Sequence, residues 1–356
     1  MRITDKFLKL TKYTYPHGTE SQLLSYLPKN YKEDGFGNFY YEIGDSSTMF
    51  TCHLDTADHK QKKVTHVFTD NIISTDGKSI LGADDKAGMT VLLYMISKRV
   101  PGLYYFFIGE EVGCVGSIKL SSNWGKTKFS KYINKVVSFD RRGTKSVITH
   151  QLYGRCCSDE FAQELANRLN LSNRKISMVT DNTGIMTDSA SFVSLVPECT
   201  NISVGYYKEH TIGEHQDIEF LKNICHASSK IDWETLPIKR DPKRFNNNLY
   251  TEDPEWLDDN WTWVRDVDGE VKKAYISTKQ IELDLDILIK YVQLKYGDEN
   301  VLDVKWDGRR LWYKNTNDVL KLVSERIDLI KELPEIGRIT ISSLRFNNIK
   351  IIDRHF

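Results

Sequence analysis

The 356-residue chain carries no excess of either charge, because 49 Lys and Arg balance 49 Asp and Glu. A basic stripe that would follow a nucleic-acid backbone is therefore not indicated. No run of about 18 apolar residues is present, which excludes an apolar membrane-spanning helix. The opening Met1-Arg2-Ile3-Thr4-Asp5 lacks the apolar core of a signal peptide. Cysteine is sparse: six residues, at 52, 114, 156, 157, 199 and 225, none in CxxC spacing and none in the last third of the chain. Such usage suits a reduced compartment rather than a disulfide framework. With 40% hydrophobic residues, ordinary for a soluble protein, the expectation is a soluble, cytoplasmic protein with no nucleic-acid and no membrane partner.

What is present is a set of apolar runs that each stop at a polar residue suited to metal chemistry. Thr48 to Cys52 reads as a buried strand delivering His53 and Asp55, and Leu103 to Ile108 as a second, ending at Gly109-Glu110-Glu111. Lys135 to Phe139 ends at Asp140, and a fourth strand, Asn201 to Tyr207, runs almost into His210. In open α/β sheets, ligands bind outside the carboxyl ends of strands, so strands that end in ligands are what a real site would look like. Two His and several carboxylates match the needs of paired metals, which take imidazole nitrogen and carboxylate oxygen and share a bridging ligand.

Taken singly, each residue has a plainer explanation. His-x-Asp is common, although two residues apart on a strand both side chains point the same way, so Asp55 can fix the second nitrogen of His53. Asp84 and Asp85 open a helix, where carboxylates favour the dipole anyway. Small Gly82 and Gly88 beside them suit a close backbone approach instead. Glu110-Glu111 resists a structural explanation, because adjacent like charges at a buried strand end repel unless a metal neutralises one and a proton the other. Asp140 precedes Arg141-Arg142 and competes with a surface ion pair. His210 and His215 compete for one role, with His210 nearer its strand.

The run Ser74-Thr75-Asp76-Gly77-Lys78-Ser79-Ile80-Leu81-Gly82-Ala83-Asp84-Asp85-Lys86-Ala87-Gly88, flanked by His53-Leu54-Asp55-Thr56 and Gly109-Glu110-Glu111-Val112-Gly113, resembles the co-catalytic di-zinc exopeptidases. The similarity is to the bacterial tripeptidase (peptidase T-like) branch. The resemblance implies two Zn2+ per chain, with Mn2+ or Co2+ as substitutes, acting on short peptides. Asp84 would bridge the ions, His53 and Asp140 would complete one site, and Glu111 and His210 the other. It further implies Glu110 as general base, Asp55 as the partner of His53, and a cis peptide bond before Asp85. Tripeptidases of this kind carry a lid between the counterparts of Asp140 and His210, where only 69 residues stand here, and 28 separate Asp55 from Asp84. A lidless, aminopeptidase-like core is expected. Thr187-Asp188-Ser189-Ala190 resembles a family motif, with Asp188 read as structural. Two other readings are an N-acyl amino acid amidohydrolase using the same metals and a non-catalytic binding protein.

The expected fold class is α/β, a mixed, mainly parallel sheet sandwiched by helices, with a small C-terminal α+β domain. Domain boundaries follow composition: a catalytic domain at 1–230, a polar linker at 231–250, and a second domain at 251–356. For the last, the pattern predicts a hairpin about Asp268-Gly269, helices at 278–295 and 317–333, strands at 301–306 and 310–313, and a closing strand pair split at Asn347-Asn348. This domain would shape substrate access or form a homo-oligomer contact.

Overall fold

The computed structural model describes residues 2–151 and 154–243, together with the backbone of seven short strands beyond them. The chain divides into two compact units, Met1–Tyr250 and Thr251–Phe356.

In the first unit, helix α1 (Ile3–Leu10) precedes strands β1 (Lys32–Glu33), β2 (Phe39–Ile43) and β3 (Thr48–His53). The hairpin β4 (His66–Thr69) and β5 (Ile72–Thr75) leads to helix α2 (Ala83–Ser97), β6 (Gly102–Phe107), α3 (Val115–Ser122) and β7 (Lys135–Arg141). Then come β8 (Ser146–Ile148), β9 (His150–Gln151), β10 (Gly154–Arg155), α4 (Asp159–Ser172) and β11 (Val179–Asp181). β12 (Glu198–Ser203), β13 (Tyr206–Tyr207), β14 (His215–Asp217) and α5 (Ile218–Ser228) complete it.

Eight strands form one mixed sheet in the order β1-β2-β6-β3-β7-β12-β8-β11, the α/β architecture expected. Its centre, β6-β3-β7-β12, is parallel. The central strands β3 and β6 are buried along their whole length, which is why they read as continuous apolar runs rather than alternating ones. Helix α2 packs on β3 and β7 and is backed by α1 and α5. Thirteen of its fifteen residues are buried, so it shows almost no amphipathic period. The short 3-10 turn Asp188–Phe192 packs on β3, β7 and β12, with α3 against it.

A second, four-stranded sheet, β13-β14-β5-β4, stands beside the first. It explains one departure from expectation. The single strand read over 201–207 is broken: β12 follows β7 as far as Ser203, Gly205 turns at φ +94°, and β13 pairs with β14 in the other sheet. His210 is therefore carried by the loop joining β13 to β14.

Two further expectations change. A Thr19/Ser21 cap followed by Leu23, Leu24 and Leu27 predicts a helix, but the stretch is 3-10, Glu20–Tyr26, and Thr19 makes no side-chain capping bond. The Glu20 carboxylate is taken by His17 Nδ1 and Gly18 N–H instead. Residues 231–240, expected to begin a linker, seal the core: Trp233 and Leu236 are buried, and Arg240 donates to the carbonyls of Val193, Val196 and Pro197.

In the second unit, β15 (Trp261–Arg265) and β16 (Val271–Tyr275) form the antiparallel pair expected about Asp268-Gly269, a turn that itself lies outside the described residues. β17 (Ser277–Ile281) occupies the start of the helix expected at 278–295, and pairing with β21 (Asn347–Ile349) runs through the turn expected at Asn347-Asn348. β18 (Val301–Trp306), β19 (Leu311–Asn315) and β20 (Leu320–Ser324) make a meander. β20 lies inside the helix expected at 317–333; the alternation Leu320-Lys321-Leu322 suits a paired strand, and ladder contacts override the helical spacing. The remainder of both expected helices lies outside the described residues.

Gly88 shows how tightly α2 is seated. A Cβ there would run into the carbonyl oxygen of Phe139 on β7 and both carboxylate oxygens of Asp85. Gly88→Ala should therefore destabilise the unit by about 1–3 kcal/mol or more, as overpacking does, seen as a lower denaturant midpoint. An unchanged midpoint would contradict this packing.

Candidate metal centre

His53, the last residue of β3, points its Nε2 at two carboxylates, 2.9 Å from Asp84 Oδ1 and 3.7 Å from Asp140 Oδ1. Asp140 lies on β7, the strand adjacent to β3. On the other side His210 Nε2 stands 3.2 Å from Asp84 Oδ2 and 3.0 Å from Glu111 Oε2. Asp84 thus turns one oxygen toward each imidazole. The peptide bond from Asp84 to Asp85 is cis.

The donor set fits a divalent metal. His53, Asp84 and Glu111 bring ligand atoms within 4.8 Å of one another, as do His53, Asp85 and Asp140. Asp85 is the weaker candidate, since its oxygens already accept from the N–H groups of His53, at 3.3 Å, and Gly88, at 2.9 Å. Imidazole with carboxylate is the mixture that zinc and its neighbours accept.

Asp55 lies beside His53, as expected, and has a second task. Its oxygens accept from the backbone N–H groups of Glu110, at 3.0 Å, and Glu111, at 3.1 Å, and so hold the loop after β6 in place. Asp55 Oδ1 also lies 3.3 Å from His53 Nδ1, out of line for a good hydrogen bond. The side chain is fully buried beneath the site. Lys86, also fully buried, donates to the Asp55 carbonyl oxygen and to Thr56 Oγ1 and supplies positive charge beneath the carboxylates.

Glu110 and Glu111 divide as adjacent residues on a turn can. Glu111 turns toward His210 and accepts from Ala57 N–H through its other oxygen. Glu110 belongs to neither ligand cluster, and its Oε1 accepts only a long contact from Cys114 Sγ, 3.5 Å. Burial pushes the Glu110 carboxyl well above the usual range; His53 opposes the shift, while Asp140, Asp188 and Glu111 add to it. Asp140 is raised to about 6, by burial first and then by Asp84. Asp84 is itself buried, yet His210 and His53 hold it below the usual carboxylate range. Burial opposes protonation of His53, but the neighbouring carboxylates of Asp140, Asp55 and Asp84 outweigh it and lift the imidazole. His210 is raised to about 11 by Asp84 and Glu111.

All seven residues singled out in the sequence meet here. His215, the competitor of His210, stacks on Tyr207 within the second sheet. Four residues that brace the site were missed. Thr187 donates to Asp140 Oδ2, Tyr206 OH to Asp140 Oδ1 at 3.1 Å, and Asn201 pairs with the Asp140 backbone in both directions. Glu214 accepts from the N–H groups of Gly82 and Asp84. Only Thr187 had a signal, as the neighbour of Asp188. Asp188 is buried with Oδ1 unpartnered, and burial raises it to about 7.

Comparison with known proteins agrees with this architecture. The family model described as peptidase family M28 matches residues 40–226. The aminopeptidase PepT from Bacillus cereus superposes with a TM-score of 0.53 at 15% identity, covering 64% of this chain and 96% of that one. A tripeptidase from Staphylococcus aureus gives 0.52 at 17% identity, with the same coverage. At such identity these likenesses speak for the fold. No curated protein matches in sequence. Among the described residues no helix is long and apolar enough to cross a membrane.

Proposed function

The chain belongs to peptidase family M28 and is a metal-dependent hydrolase of peptide bonds, and from that premise we propose that it is an exopeptidase of short peptides working through two zinc ions and a glutamate base. The observation that carries this reading is Asp84, whose two oxygens face the two imidazoles while Glu110 stays outside both ligand clusters. His53, Asp84 and Asp140 would hold one ion, and Asp84, Glu111 and His210 the other. Bound there, zinc supplies a water of lowered pKa and polarises the scissile carbonyl.

The protein's own groups do the rest. Glu110 takes the proton from the attacking water and returns it to the leaving amine, a transfer suited to a carboxyl whose pKa burial has moved up. Asp55 holds the Glu110 and Glu111 amides, so the base and one ligand are fixed by the same buried carboxylate. Thr187, Tyr206 and Asn201 orient Asp140. Mn2+ or Co2+ would fit the same donors.

In this reading the catalytic domain runs past residue 230 and takes in the core-sealing segment 231–240. Residues 251–356 would shape substrate access or join copies of the chain into a homo-oligomer.

A panel of di- and tripeptides with free amino ends, set beside N-acyl amino acids, tests the assignment. Release of amino acids from the free peptides, abolished by a chelator and restored by zinc, is expected. Turnover confined to N-acyl substrates would favour an amidohydrolase, and none at all a binding protein.

Metal binding should also release protons at pH 7. Both imidazoles are raised by their carboxylate partners and so carry a proton at that pH, whereas a metal takes only the neutral ring. Zinc affinity should therefore fall as pH falls. Calorimetry in buffers of different ionisation enthalpy reads the release directly, and a buffer-independent heat would contradict it.

A further inference from the structure

We propose that Glu214 is a positioning residue that registers His210 against Asp84 and thereby sets how tightly the second ion, on the Glu111–His210 side, is held. The inference rests on the two-metal reading and concerns a residue outside its ligand set.

The need for such a residue follows from the loop. His210 lies between β13 and β14, its side chain is 51% exposed, and packing does little to fix it. Its backbone has φ 62°, and that of Lys208 φ 53°, left-handed conformations that non-glycine residues keep only where the surroundings over-determine them. Local bonds shape the loop: Thr211 Oγ1 donates to the Lys208 carbonyl, and Glu214 N–H to that of Thr211. Neither bond reaches the metal centre. The ion pair between Arg142 and Glu209 is half-exposed and contributes little.

Glu214 supplies the connection. It is 1% exposed, with Oε2 accepting from Gly82 N–H at 2.8 Å and Oε1 from Asp84 N–H at 3.0 Å. Both are backbone N–H bonds of ordinary length to a buried carboxyl, and such bonds fix direction as well as distance. One end of the carboxylate arm is thus tied to the turn that presents Asp84, and the other lies four residues from His210. The Asp84 turn has a second anchor, because Asp85 binds the amides of His53 and Gly88. The loop of His210 has no comparable buried tie among the described bonds, so losing Glu214 should loosen His210 more than Asp84.

The test uses the full chain, stripped of metal and titrated with Zn2+ by calorimetry and with Co2+ by absorption. Wild type should take two ions. In Glu214→Ala the second ion should weaken by about 10–100-fold, the usual cost of removing a group that orients a metal ligand, with the first changing much less. Glu214→Gln, which keeps one carbonyl acceptor, should fall between them and serves if the Ala variant does not fold. In a His210→Ala background the same substitution should add no further loss, as expected if Glu214 acts through His210.

Equal weakening of both ions, an unchanged second ion in a folded variant, or additive losses in the double variant would overturn the proposal. Failure of wild type to bind a second ion would remove the two-metal reading and this proposal with it, a result visible before any substitution is made.

Discussion

Glu110→Gln should lower turnover by about 10²–10⁴-fold, the share of catalysis usually supplied by a positioned proton-transfer group, while zinc content stays that of wild type. The separation follows from geometry. Glutamine keeps the size and one oxygen of the side chain but cannot accept a proton at neutral pH. Because Glu110 lies outside both ligand clusters, the substitution leaves His53, Asp84, Asp140, Glu111 and His210 in place. The backbone N–H of Glu110, which binds Asp55, is untouched, so the loop keeps its anchor. Steady-state kinetics on a tripeptide, with metal content measured on the same sample, reads both quantities. Turnover near that of wild type would remove Glu110 as the base, and loss of zinc would make it a ligand.

Asp84→Ala should do the reverse, emptying the site and abolishing activity through assembly rather than chemistry. Each imidazole would lose its shared partner, His53 at 2.9 Å and His210 at 3.2 Å. Zinc content should drop from about two ions per chain, the number a bridging carboxylate serves, to less than one. Thermal melting gives an independent readout. Zinc at 100 times its Kd stabilises a protein by about 2.7 kcal/mol per site through linkage, so the wild-type Tm should climb with added zinc while that of the variant stays flat. An Asp84→Ala protein that still melts higher with zinc would show that the carboxylate does not bridge.

How legible the site was depends on what placed each residue. His53, Asp140 and Glu110-Glu111 could be read because buried strands announce themselves as apolar runs, and the candidate ligands sit where those runs stop. Asp84 could be read from its motif, although a helix start alone explains a carboxylate there. Glu214, Tyr206 and Asn201 were opaque for a common reason. Their work is done through hydrogen bonds across 61 to 132 residues of chain, to Asp140 or to the amides of Gly82 and Asp84, and no local period records such a contact. The second task of Asp55 was hidden likewise, since those partners are backbone amides that any residue would offer. The broken strand before His210 escaped because apolar residues run on through the Gly205 turn from one sheet into the next. In the second unit, Leu320-Lys321-Leu322-Val323 suits either period, and strand pairing decides.

The central claim is that one chain holds two ions through a single shared carboxylate. Anomalous diffraction at the zinc edge, on crystals of the zinc-loaded 356-residue chain, tests it most directly. Two peaks per chain are expected, about 3.5–4 Å apart as in paired sites, one among His53, Asp84 and Asp140 and the other among Asp84, Glu111 and His210. A single peak, or zinc bound away from Asp84, would contradict the account.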